Sequence, residues 1–129
     1  MEAPLKCWKY LIEEFRRLDI KGEIYGRVRK IEEWYRGADI LLSPHRITTR
    51  SIGEALSCGT PVIAAKGNEH ATWTADISNP YSVAETIKKA VHELKNEPGK
   101  VKERVDKARA EFSLDNYSIQ MNKVYQEVI

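Results

Sequence analysis

The sequence predicts an α/β domain with about three parallel strands, helices flanking the sheet and a helical C-terminal segment. Three observations predict it: short unbroken apolar runs in "ADILLSP" (38 to 44) and "PVIAA" (61 to 65), helical spacing in the segments between and before them, and almost continuous helical spacing from residue 82 onward. Strands that alternate with helices favour parallel pairing through right-handed crossovers.

The elements follow in order. Leu5, Trp8, Leu11, Ile12, Phe15 and Leu18 recur at three and four, the period of one helical face. "IKGEIYGRV" then sets Gly22 and Gly26 around a short β-friendly run, predicting a strand at 23 to 26. "KIEEWYRGAD" returns to helical spacing through Ile31, Trp34 and Tyr35 and stops at Gly37. The 38 to 44 run is too short for an ordinary helix and apolar on both faces, so it reads as a strand buried on both sides. Residues 52 to 58 are helical, with Ser51 and Glu54 at capping-box spacing and Gly59 as the stop. Pro61 opens the next strand, where a missing N–H does least harm.

After Ala65 a polar loop runs from 66 to 82, with room for a short strand near Ala75 to Ile77. It ends in "SVAE", where Ser82 and Glu85 repeat the capping-box spacing. Val83, Ile87, Ala90, Val91 and Leu94 mark one helix; Val101, Val105, Ala108 and Phe112 mark a second. Leu114, Tyr117, Met121, Val124, Tyr125 and Val128 mark a third, starting at Ser113. No repeat or long linker divides the chain, so 1 to 129 reads as a single domain. A sheet this small should leave one edge open, and the 23 to 26 strand is the expected edge.

Composition narrows the function classes. Lys and Arg number 21 against 19 Asp and Glu, interspersed, for a formal charge of +2. That gives no electrostatic case for nucleic acid and at most a peripheral contact with an anionic membrane. No stretch approaches the roughly 18 apolar residues of a membrane span, and the N-terminus lacks the basic-then-apolar order of a secretory signal, so a cytoplasmic location is expected. Cys7 and Cys58 are far apart among apolar neighbours, which argues against a metal site or disulfide framework and for a buried free thiol at Cys58.

The segments "GEIYGRVRKIEEWYRGADILLSP", "GEALSCGTPVIAA", "DISNPYSVAETIKKAV" and "FSLDNYSIQMNKVYQEVI" occur in an order and spacing that resemble the C-terminal, nucleotide-sugar-binding domain of GT-B glycosyltransferases, especially the retaining family 4 enzymes. The resemblance runs from about residue 5 to the end and implies a partial Rossmann-like three-layer domain. It also implies that the first strands of that domain, and an N-terminal acceptor domain, would be supplied elsewhere, in cis or in trans. The donor would be a nucleotide-sugar (NDP-sugar), and no separate cofactor is expected.

Sugar transfer from such a donor requires recognition of base and ribose, neutralisation of the diphosphate, and stabilisation of a cationic sugar. A carboxylate suits ribose hydroxyls, and Arg, Lys or helix N-termini suit the diphosphate. In open α/β sheets these groups gather beyond the carboxyl ends of the strands. By resemblance Glu54 matches the second Glu of the family's Glu-x7-Glu motif and would hold the ribose. From spacing alone it is the far end of a capping box with Ser51, and the two roles are compatible. The first Glu of the motif is replaced by Arg46, and Ile47, Thr48 and Thr49 stand where the family has Gly-Phe-Gly.

Arg46 and Arg50 are either substitute phosphate ligands or solvated loop arginines. His45 is a donor contact, a proton donor or incidental. Lys66, Gly67 and Asn68 either face the donor or form an ordinary turn. His70 and Trp73 either flank a nucleobase or pack. The leading function is the donor-binding part of a glycosyltransferase, inactive alone. The alternative is a non-catalytic module that assembles, for instance as a homo-oligomer, through its open sheet edge. No GxGxxG or Walker sequence supports a different nucleotide binder.

Overall fold

The computed structural model describes residues 5–23 and 25–128, which contain six helices and three strands. They fall into two compact units, one up to Lys30 and one from Ile31 onward.

The first unit holds helix α1, Leu5–Arg17. Its end is closed by Ile20 N–H donating to the Phe15 carbonyl at 2.8 Å and Asp19 N–H to Arg16 at 3.2 Å, with Asp19 in the left-handed region at φ 54°. That is the termination usually made with Gly. The strand expected at 23 to 26 is not formed: Glu23, Tyr25 and Gly26 are irregular, and Ile24 lies outside the described residues. Three residues between glycines carry too little intrinsic preference to hold strand geometry without a ladder partner.

The second unit carries the sheet. Helix α2 spans Ile31–Gly37, β1 Leu41–Leu42, α3 Arg50–Ser57, β2 Val62–Ala65, β3 Trp73–Ala75, α4 Pro80–Asn96, α5 Pro98–Ala110 and α6 Leu114–Val128. The strands pair in parallel in the order β1-β2-β3, with Leu41 opposite Val62 and Ile63 opposite Trp73. This is the α/β arrangement that the apolar runs predict, and it is consistent with the partial Rossmann-like domain that the resemblance implies, although its third strand is Trp73–Ala75 rather than 23 to 26. The connection from β2 to β3, residues 66–72, contains no helix. It is unusually short for a parallel pair.

β2 is central, and Val62, Ile63 and Ala64 are completely buried. Ile52, Ala55 and Leu56 of α3, Tyr35 of α2, Ala90 of α4, and Val101 and Val105 of α5 complete one core cluster with Trp73 and Ala75. β1 corrects the expectation of a strand from 38 to 44 buried on both sides. It is two residues long and Leu42 is 48% exposed, because among the described residues β1 has a ladder partner only in β2. Among the described residues β1 and β3 are therefore the two edges of the sheet.

Both capping boxes are also corrected. Helix α3 starts two residues earlier than a Ser51 cap requires: Thr49 is the N-cap, its Oγ1 accepting from Ile52 N–H at 3.4 Å. At the other end Gly59 takes φ 84°, and Thr60 N–H reaches back to Ala55 at 2.9 Å, so this glycine is required by its backbone. Helix α4 is capped by Asn79, whose Oδ1 accepts from Tyr81 N–H at 3.0 Å, with Pro80 in the first turn. Ser82 Oγ accepts instead from Asp76 N–H at 3.0 Å. Helix α6 begins after Ser113, as its spacing predicts, with Asn116 N–H donating to Ser113 Oγ at 3.1 Å. It has no buried residue, and Leu114, Tyr117, Val124, Tyr125 and Val128 are all exposed. Among the described residues no helix is long and apolar enough to cross a membrane.

Candidate functional site

Parallel pairing sends the carboxyl ends of all three strands to one rim, where Ser43–His45, Lys66–Asn68 and Asp76–Ser78 emerge. The His45 carbonyl accepts from Ala65 N–H at 3.4 Å and from Asn68 Nδ2 at 3.3 Å, which ties the loop after β1 to the end of β2. Gly67 has φ 93°, and a Cβ placed on it would lie 3.0 Å from Arg46 Cδ. Both its conformation and the Arg46 stem crossing it therefore call for glycine. Lys66 N–H donates to the Ala75 carbonyl at 3.0 Å and joins the end of β2 to that of β3.

The rim also carries Asp76. The Ser78 hydroxyl at 2.6 Å and its backbone N–H at 3.1 Å donate to Asp76 Oδ1, and with the Lys66 charge they hold this carboxyl below the usual carboxylate range. His45, Arg46 and Lys66 are exposed. Two cations, one imidazole, one ionised carboxylate and a glycine thus meet at the strand ends.

Asn68 organises these loops. It is 6% exposed; its Oδ1 accepts from the backbone N–H of His70 and of Ala71, both at 3.0 Å, while Nδ2 holds the His45 carbonyl. Thr48 Oγ1 lies 3.3 Å from the same Oδ1 and 2.7 Å from His70 Nδ1. His70 Nε2 lies 2.6 Å from Glu111 Oε2, and its ring packs on Phe112 with centroids 5.1 Å apart.

Thr48 also lines a second feature, a cleft of about 730 Å³ bordered by Ile31, Glu32 and Tyr35 of α2, by Arg50, Gly53, Glu54 and Ser57 of α3 with the flanking Thr49 and Cys58, and by Phe112. Glu54 lies in it, half-buried, with Oε1 2.6 Å from Arg50 Nε. Ser51 is exposed on the first turn of α3 and lines no part of the cleft.

The six residues singled out by sequence therefore divide. His45, Arg46, Lys66 and Gly67 share the rim, Glu54 sits in the cleft joined to it through Thr48, and Ser51 belongs to neither group. Arg50 is committed to Glu54 rather than standing free in the loop. Trp73 is a core residue at 5% exposure: its indole N–H donates to the Glu93 carboxylate, and Arg104 stacks over the ring at 5.3 Å from its centroid. Cys58 is a free thiol, half-buried rather than buried. Among the described residues no group of three or more His, Cys, Asp or Glu side chains could hold a metal ion.

Sequence reasoning passed over Asp76, read Asn68 only as donor-facing or as part of a turn, and noted Thr48 and Thr49 only as replacing the glycine-rich segment. The available signal was local: Asn after Gly, and Asp two residues before Ser, are Asx-turn patterns that fix a loop by side-chain to backbone bonds.

A family model described as glycosyl transferases group 1 matches residues 4–105. No curated protein and no solved structure matches the chain.

Proposed function

Since that match spans most of its length, the chain belongs to the group 1 glycosyl transferases, and we propose that it is the nucleotide-sugar-binding part of such an enzyme, of the retaining family 4 type. The observation that carries the reading is the meeting of His45, Arg46, Lys66 and Gly67 where two parallel strands end. Arg46 and Lys66 would neutralise the diphosphate of the leaving group, with Gly67 allowing the backbone close to it. Glu54 would accept the ribose hydroxyls in the adjoining cleft, exchanging its Arg50 partner for them. His45 would face the transferred sugar. No cofactor besides the donor is called for.

The acceptor side must come from elsewhere. Among the described residues the sheet is three strands wide with β1 at one edge, and Arg46, Ile47, Thr48 and Thr49 replace the acidic, glycine-rich segment that the family brings to the donor sugar. This chain alone is expected to give little or no transfer until an acceptor domain is provided in cis or in trans.

Titrating the isotope-labelled chain with UDP, GDP and their sugar conjugates tests the reading by NMR. Signals of Glu54, Ser51 and residues 66 to 70 should move; if no common nucleotide shifts them at millimolar concentration, the donor-site reading fails. The 46–49 substitutions and the open β1 edge favour a second reading, a non-catalytic module that self-associates along that edge. Sedimentation separates the two, because a strict monomer that binds nucleotide excludes the module.

A further inference from the structure

His70 is placed to act on the rim without belonging to it. Its side chain is 13% exposed and its two ring nitrogens have different partners. Glu111 Oε2, at 2.6 Å from Nε2, can only accept when ionised, so Nε2 carries the hydrogen of the neutral ring. Nδ1 is then an acceptor, and the Thr48 hydroxyl at 2.7 Å must donate to it. Thr48 has one hydrogen and two candidate acceptors, Nδ1 and Asn68 Oδ1 at 3.3 Å. In the neutral state the shorter bond takes it.

We infer that His70 is a positioning residue that fixes the loop of His45 and Arg46 against the loop of Lys66 and Gly67 through the Thr48 hydroxyl. The coupling to the rim runs through Asn68, whose Nδ2 holds the His45 carbonyl and whose Oδ1 already accepts two backbone N–H groups. When His70 takes a proton from solvent at Nδ1, that nitrogen becomes a donor to Thr48 Oγ1. The Thr48 hydrogen must then turn away, towards the crowded Asn68 Oδ1. One proton is gained and one hydroxyl rotates, and no bond to carbon changes.

The charged groups around the ring come from each element packed on it. Glu69 of its own loop lies 4.0 Å from Nδ1, and Glu111 follows α5. Arg104 and Lys107 of α5 line the same small cavity of about 200 Å³. The 45–49 loop contributes the neutral Thr48 hydroxyl.

The consequence for ligand affinity rests on the donor-site reading, but the latch itself is measurable without ligand. In the labelled 129-residue chain, two-bond nitrogen–proton NMR correlations give the His70 tautomer, and a pH titration follows the ring alongside the Asn68 side-chain amide and the Arg46 amide. The neutral ring should carry its hydrogen on Nε2, and all three signals should share one midpoint. Thr48→Val should leave the ring titrating while Asn68 and Arg46 cease to follow it. With UDP as probe, His70→Phe, which keeps the stacking on Phe112, should weaken binding about tenfold, and His70→Asn, which returns an acceptor near the Nδ1 place, should recover most of the loss. A neutral ring protonated at Nδ1, Asn68 and Arg46 signals indifferent to His70, or unaltered UDP affinity in His70→Phe would each overturn the latch. If the unaltered chain binds no UDP, the donor-site reading falls, and the shared midpoint alone decides the latch.

Discussion

Glu93 shows how one side chain joins three elements. Its carboxylate on α4 takes the Trp73 indole N–H from β3 and Arg104 Nη2 from α5 at 3.2 Å, while Arg104 Nη1 reaches the Thr72 carbonyl at 3.3 Å. The Trp73 bond first, and then Arg104, hold the Glu93 pKa below its ordinary value. Because the folded-state pKa is depressed, the stability it contributes is present above the ordinary carboxylate range and is lost as pH falls through the lowered value. Glu93→Gln should therefore cost about 1 kcal/mol at neutral pH by denaturant unfolding, and the difference from the parent should close in acid. At the rim, replacing Arg46 or Lys66 by Ala should weaken a nucleoside diphosphate about tenfold and leave the bare nucleoside unaffected, as calorimetry would measure. Trp73 was readable from sequence as a packing residue. Asn68 was readable only as a donor-facing or turn residue, because a buried amide that serves three backbone groups from two loops has no periodicity to announce it.

At the scale of elements, the helices were legible but the caps of α3 and α4 were not. The spacing of apolar residues placed α1, α2, α4, α5 and α6 within a few positions, since an apolar stripe along a helix recurs every three or four residues whatever caps it. Caps are decided by which hydroxyl or amide reaches an unpaired N–H, and several neighbouring side chains can compete for it. Thr49 outcompetes Ser51, and Asn79 outcompetes Ser82, which is drawn off by Asp76 N–H. Thr49→Ala should therefore destabilise the fold by about 1 kcal/mol, whereas Ser51→Ala should change it by less than about 0.5 kcal/mol, a contrast that reverses if Ser51 is the cap. The Gly59 stop was legible because the left-handed residue that closes α3 excludes most side chains. The 23 to 26 strand failed as a reading because strand preference is realised only beside a partner.

For the molecule as a whole, stability and exposed apolar surface are unevenly distributed. The buried cluster is contributed by α2 to α5 and the sheet, while α6 presents Tyr117, Val124 and Tyr125 to solvent. Replacing Tyr117 and Tyr125 together by Gln should leave the thermal unfolding midpoint of the core within about 2 °C, and a larger fall would mean that α6 supports it. The sequence by itself determined the α/β class, the presence of parallel strands within 38–44 and 61–65, the helical C-terminal run and the glycosyltransferase resemblance. All of these rest on local periodicity and on residue order along the chain. Only the tertiary structure decided which strands share the sheet, that β1 rather than a 23 to 26 strand stands at one edge, and that His45, Arg46, Lys66 and Gly67 meet while Glu54 turns to Arg50 and Ser51 stands apart. Those outcomes depend on contacts between residues distant in sequence, where competing partners are resolved by distance and burial, and neither can be read from spacing along the chain.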